Sequence, residues 1–248
     1  MRIYIPIMPA HQILTLLTHV LAAYLILAAP WLGRLWYQRA RKRIESGEPG
    51  AKVGLYRGMV VEQAVTTCVV LAIWRAGVPG GTLGLMAPRS WAGTCLAILI
   101  AVAALAWSSI LLRPKAERLR IRLKDRVGAL LPDTHQQRSW WAVVSVGAGV
   151  SEELCFRGFL LYYLATYLPH TNTWERLLLT SIVFGMAHVY QGWRSVIGTG
   201  VLGLIFAGLY VLTGSLLAPM VVHAAVDSRV LLIFPVESSP SLVMQSNA

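Results

Sequence analysis

The sequence predicts an all-α fold: a polytopic membrane helix bundle of about seven to eight transmembrane helices around a buried polar chamber. Three observations carry this expectation. Of 248 residues, 56% are hydrophobic and only 13% charged, with a mean hydropathy of +0.60, whereas soluble domains run near half apolar and about a quarter charged. The apolar residues fall into seven runs, most of them close to the roughly 20 residues that cross a bilayer as a helix. Most acidic and imidazole side chains within those runs gather in the C-terminal half, at Glu152, Glu153, His188, His223 and Asp227. An ordinary water-soluble enzyme and a disordered chain are both excluded by this composition.

The first run, 12–32, is preceded only by Arg2 and followed by Arg34, Arg39, Arg41, Lys42 and Arg43. A cleaved signal needs the opposite asymmetry, so this run reads as a retained span with its N-terminus outside. Runs 59–78 and 91–112 follow. In 113–131, Ala116, Leu119, Leu123, Val127 and Leu130 recur at spacings of three and four among Arg, Lys and Asp. That pattern predicts an amphipathic helix lying on the cytoplasmic membrane surface. Runs 140–168, 174–190, 196–212 and 216–235 complete the set. Val78-Pro79-Gly80-Gly81, Leu168-Pro169 and Thr213-Gly214-Ser215 mark turns between runs.

The net charge is +11, and fifteen of the 22 Lys and Arg residues lie in the stretches 34–57 and 113–138. Clusters between apolar runs read as cytoplasmic loops beside anionic lipid rather than as a nucleic-acid surface. The expected location is a multi-pass position in a membrane, that of a bacterial cell (inner) membrane, with membrane lipid as a partner and no nucleic acid. Cys68, Cys95 and Cys155 form no CxxC and read as buried, reduced thiols. Glu62 reads as snorkelling toward Arg57, and His11 and His19 as interfacial or hydrogen-bonded. Trp140, Trp141, Trp174 and Trp193 fall at run ends, where aromatic belts form.

A charge at mid-bilayer costs about 2.5–3.5 kcal/mol on insertion scales, so the remaining polar groups need a reason. In Ser151-Glu152-Glu153-Leu-Cys-Phe-Arg157, the two carboxylates are about 100° apart around a helix. Glu153 and Arg157 stand at i and i+4 in the favourable order for an ion pair. Glu152 then has no local partner; it is either a general base or a spare beside a structural salt bridge. Phe184-Gly-Met-Ala-His188 puts a ring and an imidazole on one face, compatible with a hydrogen-bonded core histidine or a site residue. In His223-Ala-Ala-Val-Asp227 a carboxylate can fix an imidazole tautomer or share a metal. Ala224 and Ala225 permit close packing beside them. Glu152, His188 and His223 are separated by 36 and 35 residues, one helix plus a turn or two short passes each, which predicts one polar chamber suited to activating water. HExxH, GxSxG and Gly-rich phosphate loops are absent.

These three segments resemble the motifs EExxxR, FxxxH and HxxxN or HxxxD of the CPBP intramembrane proteases, a family that includes the type II CAAX prenyl endopeptidases and bacteriocin-processing or immunity-like relatives. The resemblance covers about residues 139–234 and implies a CPBP-like catalytic core there, after N-terminal membrane helices in 1–138 and before a short tail in 235–248. It implies an intramembrane endopeptidase acting on a membrane-embedded or lipidated peptide or protein. Glu152 and His188 would activate a water, His223 and Asp227 would stabilise an oxyanion or orient substrate, and Glu153, Arg157 and Phe184 would support the chamber. Residue 227 is more often Asn in that family; Asp227 donates a hydrogen bond only when protonated, which shifts its expected role to orienting His223. No cofactor is expected; the alternative is a zinc held by His188, His223 and either Glu152 or Asp227. Competing functions are a membrane immunity protein that binds a bacteriocin-like peptide, and a proton-coupled transporter. The transporter reading is weakened by the lack of a repeat between halves.

Overall fold

A computed structural model describes residues 10–77 and 83–234, and among these the regular structure is entirely helical. Helices α1 (Ala10–Ala23) and α2 (Ala29–Glu45) are joined by a π turn into one long rod. Helix α3 is Ala51–Arg75, and α4 (Trp91–Leu112) runs through a 3-10 turn into α5 (Ala116–Val127). Helix α6 (His135–Glu153) passes through a π turn, Leu154–Leu160, into α7 (Leu161–Tyr167). Helices α8 (Thr173–Ala187), α9 (Trp193–Thr213) and α10 (Leu217–Ile233) complete the bundle. The start of α8 is set by a capping box, with Asn172 and Glu175 each bonding the other's backbone N–H.

Four helical segments are long and apolar enough to cross a membrane: His11–Glu45, Ala51–Arg75, Trp91–Leu123 and Trp193–Thr213. The other three predicted runs are helical but fall short of that standard for physical reasons. Helix α8 has 15 residues and α10 has 17, about 22–26 Å against a hydrocarbon core of about 30 Å. The α6–α7 rod carries Glu152, Glu153 and Arg157 at its middle. The turn at Val78-Pro79-Gly80-Gly81 and the tail 235–248 lie outside the described residues.

Helix α6 sits centrally, packed against α3 on one side and α10 on the other; α10 also packs on α4 and α9, and α8 on α9. The main core gathers Leu21, Val70, Phe156, Phe159, Phe184 and Phe206 around the π turn after α6. Leu99, Trp107, Ile182, Ile205 and Leu212 stand outward and exposed, the apolar exterior that lipid tails require. Close approach of α6 and α10 depends on Gly149: a Cβ there would lie 2.6 Å from the Met220 carbonyl and 2.9 Å from Ala224 Cβ.

Several sequence expectations are corrected. The apolar face of α5 packs within the bundle. Ala116, Leu119 and Leu123 pack against Leu131, Ile233 and Phe234, while Val127 and Leu130 join Tyr37, Tyr56 and Trp141. The end of α10 provides the apolar cover that lipid was expected to give. Cys155 is buried as expected, but Cys68 and Cys95 are exposed on the apolar exterior. Trp174 and Trp193 are exposed, as belt residues should be, whereas Trp141 is buried. Glu62 does not reach for Arg57: it lies midway along α3 and accepts a hydrogen bond from Tyr24 Oη at 3.1 Å. Arg57 instead stacks over the Trp140 ring, 5.3 Å from its centroid.

The two basic stretches meet at one end of the bundle. Asp133 accepts from Arg120 Nη1 at 2.7 Å and pairs with Lys52. Nearby, Tyr56 Oη donates to the Leu130 carbonyl at 3.0 Å. Arg138, at the start of α6, donates to the Phe234 and Leu231 carbonyls at 2.6 and 2.7 Å, satisfying the C-terminal end of α10.

Candidate active site

Glu152 and Glu153 end α6, immediately before the π turn that carries Arg157. Such turns recur at functional sites. His188 is the residue that stops α8, and His223 and Asp227 lie one turn apart on α10. Glu153 and Arg157 are wholly buried, and His223 is 4% exposed. Glu152, His188 and Asp227 are partly buried.

The buried ion pair is the foundation. Arg157 Nη1 donates to Glu153 Oε1 at 2.8 Å, and Nη2 donates to the Gly203 carbonyl at 3.0 Å. Its guanidinium lies over the Phe184 ring, 4.3 Å from the centroid. Gly203 makes this approach possible, since a Cβ there would stand 3.0 Å from Arg157 Nη2 and 3.2 Å from Phe184.

Glu153 Oε1 also lies 2.8 Å from His223 Nδ1. A carboxylate paired with arginine only accepts, so Nδ1 donates and Nε2 is left facing the chamber. His188 is arranged likewise: Nδ1 is 2.9 Å from the Phe184 carbonyl, which only accepts, so Nε2 again faces inward. Both Nε2 atoms stand 3.8 Å from Glu152 Oε2, and His223 Nε2 stands 3.8 Å from Asp227 Oδ2. These separations exceed a direct hydrogen bond. Glu152 Oε2 is buried without a hydrogen-bond partner. Glu152 Oε2, the two Nε2 atoms and Asp227 Oδ2 therefore gather around one point without bonding one another. A water with bonds of about 2.8 Å would hold two partners about 4.6 Å apart at the tetrahedral angle, wider than the 3.8 Å found. Ligands of one tetrahedral zinc, at about 2.0–2.2 Å from the metal, stand roughly 3.3–3.6 Å apart. Among the described residues, no group of three or more His, Cys, Asp and Glu side chains is set to hold a metal ion.

Glu152, His188, His223 and Asp227 are thus brought together, with Glu153 and Arg157 adjoining. Phe184 forms the common wall, its ring centroid 5.0 Å from that of His188 and 5.8 Å from that of His223. One assignment changes: the hydrogen bond that orients His223 comes from Glu153, not from Asp227. Sequence reasoning missed several neighbours. Phe206 stacks on His223 at 4.7 Å, and Trp141 Nε1 donates to the Asp227 carbonyl at 3.0 Å. Periodicity offered no means of finding either, because both contacts join different helices.

A cavity of about 760 Å³ opens from the chamber between the α1–α2 rod and α3. Glu152 and His188 lie on its wall together with Phe156 and Tyr190, and so does Glu62 from α3. At its far side are Leu17, Val20, Leu32 and Val61, all exposed on the apolar exterior. The cavity is therefore continuous with the lipid-facing surface.

Residues 134–229 match the family model described as Type II CAAX prenyl endopeptidase Rce1-like. The matched segment begins just before α6, ends within α10 and contains every chamber residue named above. Over this segment, 96 of the 248 residues, the chain is similar to that family. No curated protein and no solved structure matches the chain.

Proposed function

We propose that the protein is an intramembrane endopeptidase that hydrolyses a peptide bond of a membrane-associated or lipidated protein or peptide, using a water activated by Glu152 and His188. The observation that carries this reading is the orphaned Glu152 Oε2, 3.8 Å from two imidazole nitrogens whose partner nitrogens are already committed. A water between them donates to Glu152 and is oriented by His188. Glu152 takes a proton as the water oxygen bonds to the peptide carbonyl carbon. The resulting oxyanion is met by His223 as imidazolium, its Nδ1–H held by Glu153 and its Nε2–H free to donate, and by Asp227 in its protonated form. Glu152 then returns the proton to the amide nitrogen as the C–N bond breaks, releasing an amine and a carboxylic acid, which loses its own proton to solvent. Each step uses the chain's own groups.

The same reading takes the seven helical rods as seven crossings, with 139–234 as the catalytic core and the basic end cytoplasmic in a bacterial inner membrane. The test is mass spectrometry of membrane proteins from cells carrying Glu152→Gln against wild type. Glutamine keeps the size but takes no proton, and a lost general base costs about 10²–10⁴ in rate. An uncut precursor should accumulate with the variant folded, and chelator should leave wild-type cleavage intact. Undiminished cleavage by Glu152→Gln would remove the proposed base.

A further inference from the structure

Glu62 is an acidic side chain in the middle of a helix that the proposed reaction leaves unused. It lies midway along the 25-residue α3, roughly 16 Å from the helix start and so far from either headgroup layer. Tyr24 Oη donates to Oε1 at 3.1 Å, and Oε2 has no hydrogen-bond or ion-pair partner among the described residues. The carboxylate opens into the same cavity as Glu152 and His188. No Lys or Arg is among the residues lining that cavity, and most of its wall is apolar. Arg57, the cation nearest in sequence, is engaged over Trp140. A carboxylate held in an apolar cleft at mid-membrane is costly without a cation, and its attraction for one is strong there because little water screens it.

We propose that Glu62, positioned by Tyr24, is a specificity-determining subsite that receives a basic side chain of a membrane-embedded peptide close to the bond being cut. The inference rests on the endopeptidase reading, whose chamber supplies the other end of the same cleft. Its occupant is an apolar peptide with one ammonium or guanidinium group: the walls take the apolar part and Glu62 the charge. The depth of Glu62 disfavours an amine-bearing lipid headgroup, which would have to leave the interface to reach it.

The experiment uses the full chain carrying Glu152→Gln, in phosphatidylcholine nanodiscs, with dansyl-labelled Leu/Ala-rich membrane peptides. One set has a single lysine scanned through the middle; the other has norleucine at the same places. For at least one position the lysine peptide should bind about 10–100-fold more tightly than its norleucine counterpart. Adding Glu62→Gln should bring the ratio near one while leaving norleucine binding unchanged, because glutamine still accepts from Tyr24. Tyr24→Phe, which keeps the charge, should retain most of the preference. Equal binding of both peptide sets, or uniform loss of both in Glu62→Gln, would overturn the subsite. So would loss of the preference when phosphatidylethanolamine is added, since the amine would then be a lipid's. Cleavage of the same peptides by wild type is scored separately. A lysine preference without cleavage keeps the subsite and defeats the hydrolase reading; cleavage without the preference does the reverse.

Discussion

Glu153→Gln probes the foundation of the chamber. The substitution removes the negative charge opposite Arg157, and both side chains are fully buried. Breaking a buried pair by neutralising one partner costs about 3–5 kcal/mol. Two features of the structure reduce that. Glutamine can still accept one hydrogen bond, worth about 1 kcal/mol. Arg157 also keeps its bond to the Gly203 carbonyl and its place over Phe184. The expected loss is therefore about 2–4 kcal/mol. For a chain of this size that lowers the melting temperature by roughly 5–15 °C, read by thermal unfolding of the purified protein in detergent.

The companion variant separates stability from chemistry. Glu153→Gln with Arg157→Met replaces the pair by a neutral, largely apolar couple beneath Phe184 and Phe206, a change that is often neutral or stabilising. It should recover most of the melting temperature. Peptide cleavage should stay low in both variants, because a glutamine turns its NH2 as readily as its oxygen to Nδ1 and no longer enforces one His223 tautomer. A single variant melting within about 2 °C of wild type would refute the role given to the pair. Full activity in the stabilised double variant would refute the role given to Glu153 in holding His223.

Gly149→Ala should cost about 1–3 kcal/mol by overpacking, since the new methyl meets the Met220 backbone rather than a movable side chain; thermal unfolding reads it, and an unchanged melting temperature would show that α6 and α10 can part. Single cysteines introduced at Glu45 and Glu117 should be labelled by a membrane-impermeant reagent from the same side, because Lys52 and Arg120 from the two basic stretches share Asp133. Labelling from opposite sides would break that arrangement. Asp227→Asn should retain much of the cleavage rate, as His223 takes its orienting bond from Glu153; a loss as large as that of Glu152→Gln would make Asp227 itself indispensable.

Much of the bundle was legible because apolar runs and Pro/Gly breaks are local signals. All seven runs are helical over most of their length, and the turn at Thr213-Gly214-Ser215 is real, with Gly214 at φ 70°. What local pattern could not give was which surface each helix covers. The apolar stripe of α5 looks the same whether lipid or α10 lies beneath it. Trp141 sits at a run end like Trp174, yet a carbonyl of α10 claims its indole N–H. Glu62 was visible as a charge in a span, but its partner lies on a helix that precedes it by 38 residues. For the chamber, spacing placed Glu152, His188 and His223 on three different helices, and the motifs marked the residues. The hydrogen-bond partners depended on tertiary placement.

The two adjacent glutamates show how placement resolves a local argument. Side chains 100° apart on a helix should face different surroundings. Here a third element makes both directions useful. His223, brought in from α10, lies between them, with Nδ1 bonded to Glu153 at 2.8 Å and Nε2 turned toward Glu152 at 3.8 Å. An imidazole carries two nitrogens on different sides of one ring, so it can be anchored by one carboxylate and present its other nitrogen to the second. The anchored side is dry and charge-paired with Arg157; the other side opens on the cavity. Exchanging the two glutamate roles would put the cavity-facing oxygen against the ion pair and the arginine-bound oxygen against the cavity. The fixed order Glu152-Glu153 therefore decides which carboxylate is available to a water, and the decision is made by the side of the ring each one meets.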